Sequence, residues 1–148
     1  MYGNKTLPGI EASDTLRYEG SIWRGATEST WFKHAKFSGT GEEPVNIQAG
    51  TIVKEDSATG YYAPIAEGDI ASLSGKLAIV ADYTAKSGST TDGEISLSNV
   101  LVGVCGQVDK AKLYVGEKLF TDLTDEQKIS LNSKLEASGF LLVNVIQG

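Results

Sequence analysis

From residue 45 to residue 108 the chain repeats one pattern: a short run of β-branched and aliphatic residues, then a turn rich in Gly, Ser, Thr or Asp. Such runs are too short for helices and suit strands joined by turns, so this pattern constrains the fold more than any other feature. Val45-Asn46-Ile47 alternates and leads into a turn at Ala49-Gly50. Residues 51–54 and 61–65, separated by Ser57-Ala58-Thr59-Gly60, predict a hairpin. Pro64 cannot donate to a sheet ladder and marks an edge or a strand end. Leu77-Ala78-Ile79-Val80-Ala81 has the unbroken apolar character of a buried strand, and residues 86–93 form a polar loop. Residues 99–108 predict a long strand, and its Gly103 and Gly106 imply a bulge or a close backbone approach.

One helix is signalled after these strands. Thr124-Asp125-Glu126-Gln127 is a capping box, in which the Thr124 hydroxyl accepts from the Gln127 N–H and the Gln127 side chain reaches back. Asp125 and Glu126 sit at the positive end of the helix dipole. Ile129, Leu131 and Leu135 supply an apolar face, and Gly139 a left-handed stop, so the helix is expected over residues 125–138. Residues 140–146 follow as a final strand.

The chain divides by character at Gly39-Thr40-Gly41-Glu42-Glu43-Pro44, a turn or linker sequence. Residues 1–44 carry five Lys/Arg and six Asp/Glu, whereas residues 45–148 carry eight and thirteen. The first segment holds both tryptophans, Trp23 and Trp31, together with Tyr18, Phe32 and Phe37, but few aliphatic residues. Two domains follow as an expectation: an extended N-terminal arm over 1–44 and a β-rich domain over 45–148. The aromatic residues of the arm have two readings. They cap the β domain as core, or they are anchors that pack on a partner. Trp23-Arg24 and Trp31-Phe32 fit the bias of interface hot spots toward Trp and Arg. The candidate partner-binding residues are therefore Tyr18, Trp23, Arg24, Trp31, Phe32 and Phe37.

Charge narrows the function classes. A net charge of −6 argues against a nucleic-acid binder, which needs a basic face to release counterions from phosphates. The longest basic cluster, Lys33-His34-Ala35-Lys36, is too short to reverse that. No apolar stretch approaches the ~18 residues of a membrane helix, and residues 1–5 lack the apolar region of a secretory leader. Neither a membrane nor a nucleic acid is expected as a partner.

Catalytic and metal chemistry finds little to work with. A structural zinc site needs several Cys or His ligands, and the chain has one of each, Cys105 and His34. Cys105 lies in an apolar run and reads as a small buried hydrophobe. With no second thiol there is no intramolecular disulfide, which fits a reducing compartment. His34 stands among Lys33, Lys36 and aromatic residues, without a nucleophile and orienting group at a recognisable spacing. Asp92-Gly93-Glu94 is a fragment of a calcium loop and reads as a turn. There is no phosphate loop, no dinucleotide fingerprint and no Gly-x-Ser-x-Gly elbow. A pair of distant carboxylates of glycosidase type stays open at this level. A non-enzymatic binding protein with no cofactor is the expectation.

The order of motifs in the second segment resembles the phage head decoration proteins of the lambda gpD-like family. Ala49-Gly50-Thr51-Ile52-Val53, then Ala58-Thr59-Gly60-Tyr61-Tyr62-Ala63-Pro64, is similar to that family's opening. Leu77-Ala78-Ile79-Val80-Ala81 stands in the place of its next strand, without the usual Gly. Thr91-Asp92-Gly93-Glu94 resembles its short Asp-Gly loop. Val100-Leu101-Val102-Gly103-Val104-Cys105-Gly106-Gln107-Val108 resembles a further strand, with the family's Arg absent. Asp109-Lys110-Ala111-Lys112-Leu113, the capping box and Ala137-Ser138-Gly139-Phe140-Leu141-Leu142-Val143 complete the order. The resemblance covers residues 49–145. The chain is longer than the pattern at residues 114–122, and residues 1–44 have no counterpart in it.

The resemblance implies a mainly β domain, β-clip-like or small-β-barrel-like, with one C-terminal helix. It also implies a homotrimer made in the host cytoplasm and seated on the outer capsid surface of the virion. There it would bind the major capsid protein and cement neighbouring capsomers after head expansion. Residues 1–44 are then the natural candidate for an arm that adds a strand to a capsid sheet edge. On that reading, deleting residues 1–40 leaves the trimer folded and abolishes capsid binding. A head-fibre base or a tail or baseplate adaptor is the structural alternative. A carbohydrate-binding or enzymatic phage module is the alternative from another class.

Overall fold

The computed structural model describes residues 22–24, 29–40, 46–81, 85–86 and 94–144. In chain order the strands are β1 Trp23–Arg24, β2 Trp31–Thr40, β3 Asn46–Ile47, β4 Ile52–Glu55, β5 Tyr62–Pro64, β6 Leu77–Val80, β7 Ala85–Lys86 and β8 Glu94–Asp109. They continue with β9 Tyr114–Val115, β10 Lys118–Leu119 and β11 Phe140–Val143, and helix α1, Asp125–Ser138, precedes β11. The mainly β fold with a single C-terminal helix is the one the turn-punctuated pattern calls for.

Five strands close into a ring. β8 pairs antiparallel with β2, and β2 meets β5 in parallel at Phe37 and Tyr62. β5 and β4 form the hairpin expected from the sequence, with Val53 opposite Pro64. β4 pairs with β6, and β6 returns to β8 with Ile79 opposite Gly103 and Val80 opposite Val102. The result is a small β-barrel, which leaves none of these five strands as a free edge over its paired length.

Side-chain alternation then makes two cores. Ala35, Phe37, Val53, Tyr62, Ala78, Val80, Val100 and Val102 come from all five ring strands and fill the barrel. Ile52 and Ile79, which are register partners, point the other way into a second cluster with Leu113, Val115, Phe120, Leu131, Leu135 and Phe140. Successive residues of a strand face opposite sides of the sheet, so β6, buried at every position, has to be apolar throughout. The segment at 114–122 is the β9–β10 hairpin followed by a single-turn 3-10 helix, and it drives Val115 and Phe120 into the outer core.

The division at residue 44 is not a boundary in this packing. β2 is an integral strand of the barrel, and β1 pairs with β8 at Val108 and Gln107. Trp23 and Phe37 are buried at 5% and 1% exposure, so for these two the core reading holds. The expected arm therefore does not extend through residues 22–24 and 31–40. β2 fails as a free arm because its apolar residues complete both cores. Residues 1–21, which include Tyr18, lie outside the described residues.

Helix α1 begins with the expected capping box, the Gln127 N–H donating to Thr124 Oγ1 at 3.2 Å and the Thr124 N–H to Gln127 Oε1 at 3.0 Å. Gly139, at φ 108°, ends it in the left-handed conformation that a Cβ disfavours. Leu131 and Leu135 are fully buried, but Ile129 is 71% exposed, so the expected apolar face is narrower. Ile129 is two residues from Leu131, which on a 3.6-residue turn puts it on the far side of the helix. Lys134 Nζ donates to the Ile70 and Ala71 carbonyls at 2.7 and 3.2 Å, and the Leu77 N–H donates to the buried Ser138 Oγ at 3.0 Å. These bonds fix the helix over β6. Thr124→Ala is expected to cost about 1 kcal/mol in urea denaturation, with the helix still formed because its buried face is untouched.

Candidate interaction surface

Beyond the ring, β8 continues as an extension flanked by two further strands. β1 lies along one edge of it, with Arg24 opposite Gln107 and Trp23 opposite Val108. β11 runs parallel along the other, with Phe140 opposite Gly106 and Leu141 opposite Gln107. The extension has two unlike faces. Trp23, Val108 and Phe140 all enter the outer core, and the Trp23 ring packs edge-on against Phe32 at 5.1 Å. The opposite face carries Arg24, Cys105, Gln107 and Leu141, and Trp31 joins it as the cross-strand partner of Cys105.

A bulge explains how neighbouring aromatic residues are put to different uses. Between Trp31 and Phe32 one step on β2 spans two on β8, from Cys105 to Gly103. The extra β8 residue reverses its alternation, so Gly103 joins Gly106 and Val108 on the core face. There the Trp23 indole lies directly on Gly103, in space a Cβ would occupy. Phe32 is drawn into the core beside it. Trp31 is left outside at 65% exposure.

Of the six residues singled out from the sequence, the structure thus brings Trp23, Phe32 and Phe37 into the cores. Phe37 stacks on Tyr62 inside the barrel at 5.9 Å. Arg24 is largely enclosed and pairs with Asp109 at 3.5 Å, while Asp109 Oδ1 also accepts from the Ala111 N–H. This ties β1 to the end of β8 and is a structural role. Tyr18 lies outside the described residues. Trp31 alone among the described five is largely exposed.

Leu141 is the residue sequence reasoning missed. It is 49% exposed, and Leu141 and Trp31 are two of the three large apolar side chains found exposed among the described residues. They flank β8 on the same face. In the sequence Phe140-Leu141-Leu142-Val143 reads as one apolar run, and only alternation about the buried Phe140 separates Leu141 from the core. β11 also ends the sheet path, so its outer edge is open among the described residues. It carries neither a charge nor a proline, the usual protections of an edge strand. The Cys105 thiol, half-buried, sits on this face with the Ser29 carbonyl 3.9 Å away.

Among the described residues the remaining exposed large apolar side chain is Ile129 on α1. A groove of about 540 Å³ between the β4–β5 hairpin and the loop before β6 is lined by Lys54, Glu55, Asp56, Asp69, Ser72 and Lys76 among others. His34, the chain's one imidazole, lies on β2 outside it, so a groove serine has no imidazole base. Asp56 is engaged by its own turn, accepting from the Ala58 N–H at 2.9 Å. Near the parallel seam, Lys33 Nζ sits 5.0 Å over the Tyr62 ring. A hydrogen bond with the Tyr62 side chain raises the Lys33 pKa above the ordinary lysine value, against a lesser desolvation effect. Among the described residues no group of three His, Cys, Asp or Glu side chains could hold a metal, and no helix is long and apolar enough to cross a membrane.

No family model, no curated protein and no solved structure matches this chain.

Proposed function

We propose that this chain is a non-enzymatic binding protein of a phage head. In this reading it is a decoration subunit that sits as a homotrimer on the outer surface of the expanded icosahedral capsid and cements neighbouring capsomers. The observation that carries binding is the display of Trp31 and Leu141 on one face, beside the unprotected edge of β11. The packed outer core behind that face favours docking, because little backbone order has to be gained on contact. The capsid as partner is supported by the ordered motifs between residues 49 and 145. β2 is paired along its length with β8 and meets β5 at Phe37, whereas the outer edge of β11 is open among the described residues, so β11 is the strand this reading assigns to joining a capsid sheet.

The test is sedimentation of the purified protein with empty expanded heads of its phage. Co-sedimentation is expected, and Trp31→Ala/Leu141→Ser should weaken it at least about tenfold while the melting temperature holds. Protein that stays in the supernatant, or a double variant that binds as tightly as the parent, overturns the reading.

A further inference from the structure

We infer that a second copy of this chain covers the open edge of β11 when no head is bound, the two β11 strands pairing antiparallel about a two-fold axis. The inference deepens the docking reading above by naming what occupies the same edge beforehand, and it rests on that reading for what displaces the second copy.

The main chain of β11 is set for a further strand. The Gly106 N–H donates to the Gly139 carbonyl at 3.1 Å, so the odd-numbered residues here turn their N–H and C=O groups toward β8. The residues between them turn theirs the other way. The N–H and C=O of Leu142 and the C=O of Phe140 therefore point to the open side, where β11 ends the sheet path. An edge strand with no charge and no proline is a template for pairing with another chain.

What favours a second copy is that this edge matches itself. A two-fold axis that makes two edge strands antiparallel stands perpendicular to the sheet, so each face stays on its own side. Residues across the seam then project to the same face. Leu141 meets Leu141 or Val143 of the second copy, never a residue of the core face. Near such an axis a side chain faces its own counterpart, so a charge there meets a like charge. That disfavours most of the surface of a chain with a net charge of −6. Residues 137–148, by contrast, carry no charged side chain. Beside β11 the outer face carries Cys105, Gln107 and Trp31, and the cation on that face, Arg24, is held by Asp109 at 3.5 Å. The pairing makes one continuous sheet, ordered β1–β8–β11–β11–β8–β1, with both Trp31 and both Leu141 side chains on one face. An isologous contact closes on itself, so two copies leave no β11 edge free to recruit a third. Free copies are thus dimers, and the homotrimer of the reading above is the form taken on the head.

The test is analytical ultracentrifugation of the full chain without any heads, from about 1 µM to about 100 µM, where a monomer–dimer equilibrium is expected. Leu141→Lys sets like charges against each other beside the axis and should weaken association at least about tenfold. Ile129→Lys, on the exposed face of α1, should leave association unchanged, and cooperative melts check that both variants are folded. Amide hydrogen exchange then locates the contact. The Leu142 amide should exchange at least about tenfold more slowly in the dimer than in Leu141→Lys, whereas the Leu141 and Val143 amides, which face β8, are slow in both. A chain that stays monomeric at about 100 µM overturns the inference. So does a dimer indifferent to Leu141→Lys, or one whose Leu142 amide exchanges as fast as in that variant. A monomer with a protected Leu142 amide overturns it as well, since residues outside the described set would then cover the edge. None of these outcomes bears on co-sedimentation with heads, and a chain that fails to bind heads can still form this dimer.

Discussion

A chain lacking residues 1–40 is expected to lose cooperative unfolding altogether. The deletion removes β1 and all of β2, and with them Ile22, Trp23, Ala35 and Phe37 from the two cores. Large-to-small changes at single buried sites of this kind cost about 2–5 kcal/mol each. Three large side chains together approach about 10 kcal/mol, comparable with the whole stability of a small domain. The loss is also topological. Without β2 the ring is open between β8 and β5, and the long edge of β8 is bare. Urea denaturation followed by circular dichroism checks this. A truncated chain with a sharp transition and an unchanged dependence on urea would mean that β2 is dispensable to the barrel. That outcome would return the segment to the role of an arm.

The second expected result separates the two tryptophans. Trp23→Ala should cost about 3–5 kcal/mol, whereas Trp31→Ala should shift stability by no more than about 0.5 kcal/mol. The reason is their opposite faces: Trp23 fills the outer core against Phe32 and Phe140, and Trp31 is two-thirds in solvent. Gly103→Ala supplies an independent check. Its methyl group would collide with the Trp23 ring and force the indole off its seat, an overpacking cost of about 1–3 kcal/mol or more. In the Trp23→Ala background the same methyl has room, so the Gly103→Ala cost should nearly vanish. That non-additivity, read from a double-mutant cycle, is specific to the contact. Additive effects would place the Trp23 ring elsewhere.

Much of the fold is legible in the residues, and particular positions show why. The capping box at Thr124 and the stop at Gly139 act within a few residues of themselves, so the helix bounds follow from local chemistry. The hairpin of β4 and β5 follows from its turn, and the burial of β6 from an apolar run with no polar alternate. Gly103 was legible as a close approach, but not what approaches it. Ile129 was misplaced because the apolar face was read by residue type where the angular position on the helix decides.

The candidate interaction surface was legible only in part. Trp31 stands out by composition, yet nothing local distinguishes it from Trp23, and their fates separate by the register of β8 and one bulge. Leu141 is indistinguishable in sequence from a core residue.

Strand, turn and helix formation thus came from the chain alone, because capping, turn geometry and side-chain alternation are interactions between near neighbours. Which aromatic residues become core, which become surface, and that residues 31–40 complete a barrel rather than hang from it, came from pairings such as Trp31 with Cys105 and Phe37 with Tyr62. Those contacts join residues tens of positions apart. They are selected by closing the ring and filling both cores at once, which no local pattern encodes.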